Sequence, residues 1–418
     1  MIRKFYLLFG IISLALIPFV PIFKVIDRIG PQYLYLSVIQ VTFSIIFLLF
    51  FRKDFSVIKH KIVSINFYAA FLMVALCSII FSNYKEESIL EWFKHFTNFH
   101  TLLNIFILFC FLPKRIELFT YIFLALSLIE SIYIFYIFCD FYSVSETYFR
   151  FRALQGFSSN QNIGSFSLLM KLPVLFYLAK TSKNKILVFL SIVAIVLSVF
   201  DIQIIASRAT LLGTVLFLSI VVISFIFQYR KTPNYLRVRF ISILLLVAIT
   251  VVIQNKLITE KNAQLVTTNR ILSYEDSSIA YRVGYIFDAL NHFKKYPIIG
   301  TGIGTWKIYS IGYVHEDQTE YQAPYHAHND FLQLFAETGI FGGFFYLMIF
   351  VFTILEMIRK LFTSKTIYLQ SIYFYILLCL FIFCLDSSVN FPRIRPYSQM
   401  NIIYVLGLIF SIKASDEN

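Results

Sequence analysis

Long apolar stretches dominate the chain, and their lengths fit a lipid bilayer. A helix needs about 20 mostly apolar residues to cross one. Twelve runs approach that length: 5–23, 31–51, 62–82, 95–112, 117–138, 162–179, 186–204, 209–228, 239–256, 331–356, 367–385 and 399–412. The pattern predicts an all-α, polytopic integral membrane protein with about twelve transmembrane helices. The first run follows Arg3 and Lys4, lacks a small-residue cleavage site and is followed at once by further spans. It therefore reads as a retained helix and not a cleaved signal. The chain divides into 1–256 with nine spans, a polar stretch over 257–330, and 331–418 with three spans and a short tail.

Two connections, about 139–161 and about 257–330, exceed simple turns, and loops of that length are usually functional or disordered. The second has a pattern of its own. Ile279, Val283, Ile286, Leu290 and Phe293 recur every three or four residues and predict one apolar helix face. Ser278 fits an N-cap, and Pro297 lies just past the end. Such a helix would lie on the outer membrane face or roof a cavity.

Composition strengthens this picture. A chain of 418 residues would ordinarily form two or three soluble domains, but 59% of it is hydrophobic and only 14% charged. Soluble folds carry about a quarter charged residues. A soluble enzyme, a disordered chain and a disulfide scaffold are excluded. Cys77, Cys110, Cys139, Cys379 and Cys384 lie in or at the ends of apolar runs without metal-like spacing, and read as buried small hydrophobes. The net charge of +13 could suggest nucleic acid. With the N-terminus inside, however, about half of the 36 basic residues fall in inside loops, where only Asp54, Glu117, Glu356, Asp416 and Glu417 join them. The basic excess is therefore topogenic. It places both termini in the cytoplasm and leaves no nucleic-acid partner to expect.

Polar chemistry gathers on the opposite side. Arg208 stands between two apolar runs, where the topological rule gives no reason for arginine, and guanidinium grips phosphate bidentately. Its bland alternative is a snorkelling anchor. Arg282 lies on the amphipathic helix with Arg270 upstream. Both could be an ordinary solvated face unless they converge with Arg208. Gly300-Thr301-Gly302-Ile303-Gly304 fits neither a P-loop nor a dinucleotide fingerprint. It reads as a flexible turn or a point of close backbone approach. The densest cluster is Tyr325-His326-Ala327-His328-Asn329-Asp330, from which Asp330, Gln333 and Glu337 continue as one polar stripe into the tenth span. Ionisable groups so placed usually face a cavity. His326, His328 and Asp330 could ligate a metal, but no histidine follows 328 to complete a set. An interfacial histidine pair beside a cap at Asn329 or Asp330 is a second reading, and a general base or substrate-binding histidine a third.

These motifs together resemble the O-antigen ligase family. His328-Asn329, nine residues and then Gly339-Ile340-Phe341-Gly342 resemble its histidine motif, and Leu332-Gln333 and Glu337-Thr338-Gly339 fit the same pattern. Ser207-Arg208 is similar to its first arginine motif, although Ala209 stands where the family often has glycine. Arg282, the helix ending at Pro297 and the alternating glycines resemble its second. Phe157-Ser158-Ser159-Asn160-Gln161-Asn162 resembles a polar segment before the sixth span, and twelve spans with one large periplasmic loop fit as well. The likeness runs over about 155–345.

The resemblance implies a GT-C-like membrane glycosyltransferase in the bacterial inner membrane, with no cofactor. The donor would be a glycan on undecaprenyl diphosphate, because nucleotide sugars are absent outside the cytoplasm. Arg208 and Arg282 would neutralise the leaving diphosphate in place of a metal. His328 would be the base, oriented by Glu337 or Asp330. Arg270, His326, Asn329, Asp330, Gln333 and Glu337 would line the substrate site. Displacement would invert the anomeric carbon. The acceptor would be a lipid A-core hydroxyl for a ligase or a growing glycan for a polymerase, and the family also holds protein O-oligosaccharyltransferases. A polysaccharide or lipid transporter and a scaffold remain as readings of other classes. The outward arginines and histidines favour the enzyme.

Overall fold

The structure is a computed structural model that describes residues 2–21, 23, 25, 28–51, 62–112, 114–144, 154–261, 277–313 and 325–416. Among them every regular element is helical. In chain order these are α1 (Ile2–Ala15), α2 (Ile29–Phe50), α3 (Val63–Ile80), α4 (Lys85–Cys110), α5 (Arg115–Val144), α6 (Gln161–Thr181) and α7 (Lys185–Ile205). Then come α8 (Arg208–Gln228), α9 (Asn234–Lys261), α10 (Ser277–Lys295), the single turn α11 (Trp306–Tyr309), α12 (Asp330–Thr363), α13 (Ile367–Val389) and α14 (Pro396–Asp416). Each apolar run lies on one of them. Among the described residues nine helices are long and apolar enough to cross a membrane: α2, α3, α5 to α9, α12 and α13. The apolar parts of α1 and α14 are shorter, Phe5–Ala15 and Pro396–Ile412. α4 departs for another reason. It starts at Lys85, well before the apolar run, with Glu86 and Glu87 in its first turn, where acids suit the helix dipole. The protein is a polytopic membrane protein.

The chain divides into two compact units. The first takes Met1–Arg115, Asp276–Met357 and Asp386–Asn418; the second takes Ile116–Glu275 and Ile358–Leu385. In the first, α4 packs against α2, α3 and α14. Its buried face is polar at Glu91, His95, Asn98, Thr101 and Asn104, a helical spacing. Asn98 donates to the Tyr33 hydroxyl at 3.2 Å and Asn104 to Gln40 Oε1 at 2.7 Å. Between helices in lipid, such bonds act as glue. In the second unit the almost wholly buried α6 packs on α7 and α8, and α7 on α9. Lys171 and Glu130 form a fully buried pair at 2.6 Å, the arrangement that makes charge tolerable at such depth. The Asn160 side chain caps α6 by accepting from Asn162 and Ile163 N–H.

Two expectations need correction. The buried face of α10 carries Tyr285, Asp288, Ala289 and His292, whereas Val283 and Phe287 are exposed. The reason is local. Ala289 joins Trp306, Ala327 and Ala336 in a small core, while His292 is bonded to Thr301 at 3.1 Å and Tyr313 at 3.2 Å. That mixed face is better satisfied inside than the apolar stripe. Ser278 lies within the helix, which begins at Ser277, and so is not its cap. Of the cysteines only Cys379 is buried; Cys77 and Cys139 are exposed on helix surfaces, where lipid suits a small apolar side chain.

Candidate active site

The start of α12 is built by its own polar stripe. Asn329 caps the helix, accepting Leu332 N–H at 3.0 Å, and its amide donates to Ser388 O at 3.2 Å. Gln333 accepts Ala327 N–H at 3.2 Å and donates to Glu337 at 3.0 Å, which fixes the histidine turn above the helix. Glu337 in turn accepts Gly304 N–H at 2.9 Å and Trp306 N–H at 3.3 Å. The glycine segment is therefore a clamped turn, not a flexible one. Gly302 has φ +108°, and a Cβ there would lie 2.5 Å from Ser82 Cβ. Its closeness serves packing against the end of α3. Within α12, Gly339 has φ +67° and breaks the helical path, and Ile340 N–H turns to Pro297 O at 2.8 Å. Glycine supplies that conformation without steric cost.

Asp330 is held by Arg393. Its carboxylate accepts the backbone N–H of Arg393 at 2.9 Å and Arg393 Nε at 3.4 Å. Arg393 also donates to Glu91 at 3.2 Å and meets His95. The guanidinium is almost fully buried. Burial opposes its charge, but Glu91, Asp330 and Glu337 outweigh burial and hold its pKa above the ordinary value. This ion cluster ties the turn Phe391–Arg395, between α13 and α14, to α4 and α12.

The histidine turn rests on that foundation. His326 stacks on Phe391 at 4.1 Å between ring centroids, and His328 meets the same ring edge-on at 5.0 Å. Tyr285 of α10 stacks on His328 at 6.1 Å. His328 adopts φ +52°, a left-handed conformation that costs a non-glycine residue about 1 kcal/mol or more and clusters at functional sites. Among the described residues its Nδ1 is buried without a hydrogen-bond partner, as is that of His326. Burial first, and the nearby Arg282 second, push the His328 pKa down to about 4. Burial, then Arg395, His328 and Arg393 push His326 well below its usual value. Both rings are neutral at neutral pH. A neutral imidazole accepts a proton, and beside it Arg282 offers a guanidinium.

The sequence-predicted residues thus separate into groups. Arg282, His326 and His328 come together in the first unit, while Asn329, Asp330, Gln333 and Glu337 form the frame that holds them. Arg270 lies outside the described residues. Arg208 belongs to the second unit. There, Ala206 closes α7 in a left-handed conformation at φ +52°, and Arg208 opens α8, half-buried. A cation is disfavoured at a helix N-terminus, so helix stability does not explain this arginine. Sequence reasoning missed Glu91, His95, Phe391, Arg393 and Arg395. One signal was available: Arg393 and Arg395 sit on the same predicted side as Arg208, between Pro392 and Pro396. Among the described residues, no three His, Cys, Asp or Glu side chains come together as metal ligands.

The family model described as O-antigen ligase matches residues 189–347. That stretch includes Arg208, Arg282, the glycine turn, His328 and Glu337, and ends before the Phe391–Arg395 turn. No curated protein matches the chain.

Proposed function

We propose that this chain, whose residues 189–347 match the O-antigen ligase family model, joins a glycan carried on undecaprenyl diphosphate to an acceptor hydroxyl outside the cytoplasm. The match to that family supports glycosyltransferase-type activity; the donor, acceptor and stereochemistry are our reading. The supporting observation is His328: neutral, strained, with an unpartnered buried nitrogen and Arg282 beside it. In this reaction the acceptor oxygen attacks the anomeric carbon as its proton passes to the His328 imidazole. The bond from that carbon to the phosphate oxygen breaks, and undecaprenyl diphosphate leaves with the electron pair. Arg282 balances the growing charge, which is the largest service a site of this kind gives. A positioned base contributes about 10²–10⁴-fold. Attack opposite the leaving group inverts the anomeric centre. No metal is required, because guanidinium groups do the neutralising.

The acceptor we favour is lipid A-core in the inner membrane, with both protein termini cytoplasmic. The second reading is a polymerase of the same family, acting on a growing glycan. Glycolipids of a deletion strain separate them. Loss of a ligase leaves bare core and accumulated lipid-linked polymer; loss of a polymerase leaves core bearing one repeat unit. Complementation with His328→Ala tests the mechanism. Transfer should vanish while protein level persists, and full activity in that variant would remove His328 from the role. A transporter reading fails if purified protein in detergent moves label from lipid-linked glycan to acceptor.

A further inference from the structure

The transfer chemistry above uses none of the carboxylates buried in the second unit. There α5 turns inward a face that carries Ser127, Glu130 and Ser131, and α7 one that carries Ser198 and Asp201. All five are completely buried. Ser198 joins the two helices, its hydroxyl 3.0 Å from that of Ser127 and 3.2 Å from that of Ser131. On the same two helices, Phe135 and Phe138 pack edge-on against Phe200 at 5.6 Å. Glu130 is answered by Lys171 of α6 at 2.6 Å, and Lys171 also donates to the Ser167 hydroxyl at 2.7 Å. Ser131 and Glu130 lie within electrostatic reach of Asp201. Yet among the described residues neither oxygen of Asp201 has a hydrogen-bond partner.

We propose that Asp201, with the hydroxyls of Ser127, Ser131 and Ser198, binds a sodium ion that ties α5 to α7. A carboxylate taken out of water is paired, coordinates a cation or gives up its charge. Protonation alone does not satisfy Asp201, because the acid's O–H needs an acceptor and its other oxygen a donor. A cation meets both oxygens at once. The neighbouring hydroxyls complete its shell, since each serine donates a single proton and keeps lone pairs for an ion. Hard oxygen ligands of this kind select hard cations. The neighbours also set the charge. Lys171 and Glu130 cancel each other, so Asp201 adds a single negative charge, which a monovalent ion neutralises and a divalent ion overshoots. Selectivity follows cavity size and ligand number, and few, closely spaced oxygens suit sodium better than potassium.

The test uses the full chain in detergent, with the sodium ion itself as the probe. Equilibrium binding of radioactive sodium, with choline as its replacement at constant ionic strength, should saturate near a single ion per chain. The affinity should fall about tenfold or more in Asp201→Asn, which removes the charged ligand and keeps its shape. Thermal unfolding gives a second reading. Exchanging choline chloride for sodium chloride should raise the Tm of the wild type and leave that of Asp201→Asn in place. If Asp201→Asn does not fold, Ser131→Ala and Ser198→Ala carry the test: each should weaken sodium binding severalfold, and unchanged affinity in both overturns the proposal. Sodium binding of wild-type strength in Asp201→Asn does the same. So does a wild-type Tm that fails to distinguish sodium from choline, which would leave a proton on the carboxyl in place of the ion. None of these readings needs turnover, so the site stands or falls apart from the transferase reading.

Discussion

Replacing Glu337 with glutamine should damage the fold before it damages the chemistry. The carboxylate takes three donors: Gly304 N–H at 2.9 Å on Oε2, and Trp306 N–H at 3.3 Å and Gln333 Nε2 at 3.0 Å on Oε1. Glutamine has one acceptor oxygen. If that oxygen keeps Gly304, the new amide faces Trp306 N–H and the Gln333 amide. Gln333 can turn its own oxygen around only by releasing Ala327 N–H. At least one buried donor is left unmatched, and the charge that strengthened the others is gone. Hydrogen bonds to charged groups contribute about 1.5–3 kcal/mol, and an orphaned buried donor costs about 1–3 kcal/mol. The expected loss is about 3–5 kcal/mol, a large part of a typical stability of about 5–15 kcal/mol. Hydrogen exchange in detergent reads it locally: amides of 300–306 and of 325–329 should lose protection together. Wild-type protection of residues 300–306 in Glu337→Gln would show that the carboxylate is not the clamp described here.

Three further outcomes follow from the same geometry. With the His328 pKa lowered to about 4 from 6.5, the neutral base persists as pH falls, so kcat/KM should stay flat through about pH 5 and decline with a midpoint near 4. A midpoint at the ordinary imidazole value would refute the environment assigned to that ring. Arg393→Leu strands Asp330 in the interior and leaves Glu91 to Lys94, and breaking a buried pair costs about 3–5 kcal/mol. Thermal unfolding should show this, with part recovered on adding Asp330→Asn, and no recovery would break the assigned pairing. Gly302→Ala meets both a positive φ and the Ser82 side chain. It should cost about 2 kcal/mol or more, an expectation that ends if its melting profile matches wild type.

The spans were legible because a bilayer imposes one simple demand, a long apolar helix, and nine described helices meet it. α4 shows where that rule stops. Its first half reads as a polar connection, yet Glu91, His95 and Asn98 repeat at helical spacing and face inward. A hydropathy window averages such a stripe away, whereas a search for polar residues at that spacing would have kept the helix whole. The amphipathic helix forms where its pattern put it, yet the face it buries is mixed. Asp288 and His292 are buried on it, because a polar group with partners waiting is no poorer a core residue than an exposed valine is a surface one.

His328 and Arg282 were visible because motif spacing is a local property of sequence. Arg393 was not, since its partners Glu91 and Asp330 are separated from it by hundreds and by tens of residues along the chain. That invisibility bears on how loss-of-function variants in this protein are read. Asp330, Gln333 and Glu337 sit in the same motif as His328, and substitution at any of them should abolish activity. For His328 the loss would be chemical. For the other three it would arise because the turn that holds His328 at φ +52° is no longer held. Activity alone does not tell these apart. Local exchange protection does, because a true base can be removed without loosening the backbone that carries it.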